Sequence, residues 1–169
     1  MIVLSILITV ISLLLQGIMS NYLGYTYNFI SIFSTNYILI ALLILIPHFE
    51  NKKKYFYLLI IFGLIVDIVY TNTFIFNTSL FVVCYYISKL FHSFFPYNWL
   101  TTSISNLLCI MCYHIISFLF LQVLNYDLYN VSYLTTILSR SILMTVLYSN
   151  IVYFTITLTK SKFQLKDIK

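Results

Sequence analysis

Six apolar runs follow one another along this chain, at residues 2–19, 29–46, 55–70, 74–95, 99–124 and 131–158, with short polar connections between them. Each is close to the ~20 residues that a helix needs to cross a bilayer. That arrangement constrains the fold more than any motif does: it predicts an all-α, polytopic membrane helical bundle of six transmembrane helices. Only 8% of the 169 residues are charged and 62% are hydrophobic, with a mean hydropathy of +0.99. A soluble domain of this size needs far more charge to cover its surface. The expected organisation is one transmembrane domain, 1–159, followed by a basic tail, 160–169.

The polar residues inside the runs form stripes. In the first run Ser5, Thr9, Ser12 and Gln16 recur at steps of four, three and four, which puts them on one helix face turned toward the bundle. Residues 21–28, with Gly24 and three tyrosines, read as an interfacial connection. The second run ends at Pro47, and residues 48–54 (HFENKKK) are the most hydrophilic stretch before the tail. The N-terminus lacks the features of a cleaved signal peptide and is expected to be a retained helix.

The net charge of +5 does not point to nucleic acid, because the basic residues lie between and after apolar runs, where they act as topology signals. With six crossings and both termini in the cytoplasm, Lys52, Lys53, Lys54, Lys89 and the four lysines of the tail all fall on the cytoplasmic side. The outside connections hold none. Five or seven crossings would break this separation. The expected location is therefore the cell (cytoplasmic) membrane, with the Lys52–Lys54 cluster able to meet anionic lipid or an acidic partner.

Two charges lie within the runs. Asp67 sits in FGLIVDIVYT, and a carboxylate at membrane depth by default marks a functional or assembly position. Gly63, Asp67 and Thr71 fall at i, i+4 and i+8, a face suited to another protein helix. Asp67 follows Tyr55 by a rise of roughly 18 Å, and Arg140 follows Ser132 by about 12 Å on a helix entering from the opposite surface, so the two lie at similar depths. This predicts an Asp67–Arg140 link, direct or through hydroxyls; the bland alternative is a carboxylate in a watery crevice and a snorkelling arginine. On the sixth run Ser141, Thr145 and Ser149 form a second polar face. Either that helix lies in the middle of the bundle or the face docks another chain, a homodimer partner included.

Other motifs carry little chemistry. Cys109-x-x-Cys112, with Cys84, reads as small buried thiols, since His114 points away from the cysteine face. Asn77-Thr-Ser and Asn130-Val-Ser match the glycosylation sequon only formally. No phosphate-cradling loop, nucleophilic triad or carboxylate pair is present in the sequence, so the expectation is a non-enzymatic protein with no cofactor and no metal.

Gly63-Leu-Ile-Val-Asp67, a turn, and an apolar helix ending in Tyr86-Ile-Ser-Lys-Leu90 resemble the central signature of MreD, the rod shape-determining membrane protein family of bacteria. Leu13-Leu-Leu-Gln16 and Asn36-Tyr-Ile-Leu are similar to that family's opening. The chain departs from the pattern at Thr35, where the family often has Pro, and at Ile75, where it has Gly. The resemblance implies a scaffold subunit of the wall-elongation (rod) complex. Its partners would be MreC, MreB and the peptidoglycan synthases, and its fold would be similar to the substrate-binding subunits of energy-coupling vitamin transporters. The competing reading is such a transporter subunit, with Asp67, Arg140 and the tyrosines gathered round a pocket.

Overall fold

The computed structural model describes residues 2–23, 35–49, 51–71, 73–123 and 131–166. Among them are six α-helices: α1 (Ile2–Leu23), α2 (Tyr37–Leu45), α3 (Lys52–Val66), α4 (Phe76–Phe94), α5 (Trp99–Val123) and α6 (Val131–Lys166). A 3-10 turn at Ile46–His48 follows α2, and α3 closes in a π turn at Asp67–Thr71.

The bundle is built around α2. Its nine residues, YILIALLIL, have no polar stripe, and every one is buried, residues 38–42 completely. A helix that is apolar all round belongs in an interior; α1, α4, α5 and α6 all pack against it. Its first backbone N–H groups have no water to turn to, so side chains must accept from them. Asn36 caps it by accepting from the Leu39 N–H at 3.1 Å. Gln16, the last residue of the α1 stripe, accepts from the Ile38 N–H at 3.4 Å.

Around this hub the polar residues of the helices face inward among apolar core side chains, and large apolar residues cover the outside. Ser5, Thr9 and Ser12 are buried, whereas Leu7, Leu14 and Ile18 on the opposite side of α1 are each more than half exposed. Ser12 shares a 2.7 Å hydrogen bond with Tyr148 of α6. Further pairs link α5 to α6 (Asn106 Nδ2 donating to Ser149 Oγ, 2.9 Å; Ser103 to Asn150 Oδ1, 2.9 Å) and α4 to α5 (Ser88 with Ser105, 3.1 Å). The Cys84 and Cys109 thiols each donate to the other's backbone carbonyl, at 3.5 and 3.4 Å, which pins α4 against α5. In hydrocarbon such contacts act together with close side-chain packing to hold helices together.

Among the described residues, three helical stretches are long and apolar enough to cross a membrane: Lys52–Thr71, Trp99–Val123 and Leu134–Thr159. Leu4–Met19 and Tyr37–His48 are shorter apolar helices. The latter rises roughly 18 Å against a hydrocarbon core of about 30 Å. The first part of the expected second crossing, residues 29–34, lies outside the described residues, as do residues 124–130 with Asp127 and Asn130. Several expected boundaries change: α2 starts at Tyr37, with Thr35 and Asn36 ahead of the helix, and α3 starts at Lys52, before the expected Tyr55. Helix α1 runs on through Leu23, into the expected interfacial connection, and α6 continues past Leu158 to Lys166, so most of the basic tail is a prolongation of the last helix.

Candidate functional site

Where α3 ends, the chain turns back on itself and starts α4 beside it. The first N–H groups of an α-helix have no partner within the helix, and where that end is buried side chains must satisfy them. Asp67 supplies the missing acceptors from ten residues upstream. Its Oδ1 accepts from the Asn77 backbone N–H at 2.8 Å, the Asn77 side-chain amide at 3.1 Å and the Thr73 hydroxyl at 2.7 Å. Its Oδ2 accepts from the Thr78 backbone N–H at 2.9 Å and the Thr78 hydroxyl at 2.7 Å. The carboxylate is 1% exposed. Five donors and the positive end of the α4 dipole stabilise its negative charge.

The direct form of the expected Asp67–Arg140 link is not what the carboxylate makes. Arg140, half-buried on α6, is not among the partners of Asp67, whose two oxygens are taken by residues 73, 77 and 78. The physical reason is that two main-chain N–H groups at the start of α4, with three side-chain donors beside them, saturate the carboxylate, so it needs no separate cation.

Gly63 is what lets α4 come this close. A Cβ there would lie 2.9 Å from Thr78 Cα and 2.9 Å from Thr78 Oγ1, inside van der Waals contact with backbone. Gly63 and Asp67 are therefore one device, one turn apart: the glycine opens the gap and the carboxylate fills the hydrogen-bonding need. Thr71 completes it from the rim. Its hydroxyl bonds Thr73 at 2.7 Å and accepts from the Asn77 amide at 2.8 Å. The Tyr113 hydroxyl of α5 donates to Asn77 Oδ1 at 2.5 Å and ties the turn to the next helix. Just before α4 the backbone passes through Ile75 at φ 64°, the only non-glycine residue at positive φ among the described residues. A β-branched residue is poorly suited to that region.

The remaining predicted residues fall elsewhere. Ser141, Thr145 and Ser149 are all buried; Thr145 bonds Thr35 at 2.8 Å and Ser149 bonds Asn106, while Ser141 donates to the Leu138 carbonyl at 2.9 Å. That face is turned into the bundle. Lys52, Lys53 and Lys54 are exposed at the start of α3; Lys52 and Lys53 line a cleft with Lys89 of α4, and Lys54 does not. Sequence reasoning missed Thr73, Asn77, Thr78 and Tyr113 as members of the Asp67 site. A signal existed in the polar cluster Asn77-Thr78-Ser79 at a helix start within reach of an otherwise unpartnered acid.

Comparison with family models finds none that matches, and comparisons with curated proteins and with solved structures likewise return no match.

Proposed function

We propose that this chain is a non-enzymatic scaffold subunit of the bacterial wall-elongation complex, related to MreD, that crosses the cell membrane six times with both termini in the cytoplasm. The observation that carries the reading is the complete use of Asp67 in capping α4. An acid at membrane depth is the first place to look for transport or catalysis, and here both its oxygens are engaged in holding two helices together. The transporter reading needs that carboxylate turned toward a ligand. Other residues that carry the family resemblance serve structure as well: Gln16 and Asn36 cap α2, and Gly63 admits α4. The position where the family has Gly, Ile75, is the one whose backbone favours Gly.

In this reading the protein works by presenting a lipid-embedded surface to MreC and the peptidoglycan synthases, with MreB reached through the cytoplasmic side. The test is purification of the tagged full-length chain from bacterial membranes in mild detergent. Recovery of MreC and wall synthases supports the scaffold. Recovery of a pair of ATPase subunits, together with a thermal shift on adding a vitamin, would replace it with the transporter.

A further inference from the structure

The end of the α3–α4 pair where α3 begins holds a cleft of about 490 Å³. Its mouth carries Lys52 and Lys53 from the first turn of α3 and Lys89 from the last part of α4, and among the described residues no acidic one lines it. Folding brings these three cations together from positions 36 residues apart in the chain. Intrinsic stability argues against the arrangement, because lysines in the first turn of a helix oppose its dipole and like charges repel. An anion seated among them relieves both effects.

Below the mouth the walls change character. Phe56 and Ile60 continue the same face of α3 at i+4 and i+8 from Lys52, so the groove runs roughly 12 Å along the helix from charge to hydrocarbon. The floor is firm: Tyr85 is buried and packs against Tyr55 at 5.4 Å and Phe56 at 6.3 Å, and the Tyr55 hydroxyl is anchored on the Leu42 carbonyl at 2.9 Å. Tyr57 and Tyr86, both more than half exposed, flank the opening as amphipathic residues suited to headgroup level.

We infer that this cleft is a binding site for an anionic phospholipid, with the headgroup phosphate among Lys52, Lys53 and Lys89 and one acyl chain along Phe56 and Ile60. A free phosphate would use the lysines but not the apolar groove, and an acidic peptide would have no use for a slot that descends into hydrocarbon. The inference rests on placing this end of α3 and α4 at a membrane surface and not on the cell-wall role. A chain that retains lipid but no wall proteins would refute the latter and leave the site intact.

The experiment uses the full chain, stripped of lipid in neutral detergent and titrated with phosphatidylglycerol or phosphatidylcholine of identical acyl chains, with bound lipid read by native mass spectrometry. Phosphatidylglycerol is expected to be retained preferentially. Lys53→Gln with Lys89→Gln should lower its retention about fivefold for each lysine removed. Lys52 is left in place because its Nζ also donates to the Ile46 carbonyl at 3.0 Å. Lys160→Gln with Lys162→Gln, in the tail, should change nothing. Ile60→Trp alters no charge but fills the groove, and should also reduce retention; it keeps the test decisive should the lysine variant fail to fold. Equal retention of the two lipids, undiminished phosphatidylglycerol binding in either cleft variant, or its displacement by inorganic phosphate or by a polyglutamate peptide would overturn the assignment.

Discussion

Replacing Asp67 with Asn keeps the size of the side chain and exchanges one acceptor oxygen for an NH₂ donor. If the amide nitrogen takes the place of Oδ2, it meets the Thr78 N–H and hydroxyl, which donate to that oxygen at 2.9 and 2.7 Å. The hydroxyl can rotate away; the backbone N–H cannot. One buried N–H left without an acceptor costs about 1–3 kcal/mol, and each of the three bonds to the remaining oxygen falls from charge-assisted to neutral, about 1 kcal/mol apiece. Relief from burying a charge offsets part of this, so the expected net loss is about 3 kcal/mol. Reversible unfolding of the full chain in mixed micelles, titrated with sodium dodecyl sulfate and followed by far-ultraviolet circular dichroism, reads this directly. A loss within about 0.5 kcal/mol of zero, the range of an ordinary surface change, would refute the capping role.

Two further substitutions probe the same turn. Gly63→Ala places a methyl 2.9 Å from Thr78 Cα, which is backbone and cannot swing aside, so α4 must retreat from Asp67; a loss of about 2 kcal/mol is expected in the same unfolding titration. Ile75→Gly releases a residue held at φ 64° with its side chain 46% exposed, and should stabilise the protein by about 1 kcal/mol, seen as a later unfolding midpoint.

The helices were readable from the sequence because the run lengths and the breaks at Pro47 and residues 96–98 report directly on where a chain can stay helical in hydrocarbon. Helix α5 at Trp99–Val123 and α4 at Phe76–Phe94 fall within two residues of the apolar runs. The stripe Ser5, Thr9, Ser12 faces the interior because hydroxyls without water must find protein. The central place of α2 was less legible. An all-apolar helix is equally comfortable against lipid or against other helices, so its composition does not say which, and only the polar residues on its neighbours decide. Asp67 announced itself as costly, but its partners were hidden for a different reason: two of the five donors are main-chain N–H groups of residues 77 and 78, and backbone carries no residue-specific signal. Matching heights on two helices suggested Arg140 instead. Depth along a helix says nothing about the direction in which a side chain points, and here it points at the start of α4.

The most direct test of this account is a pair of double-mutant cycles on Asp67→Asn, one with Thr78→Val and one with Arg140→Gln, measured by the same unfolding titration. The capping geometry predicts a coupling of about 1 kcal/mol or more with Thr78 and additivity with Arg140 within about 0.5 kcal/mol. Strong coupling to Arg140 with none to Thr78 would contradict it, and would return Asp67 to the role of an ion-pair partner between α3 and α6.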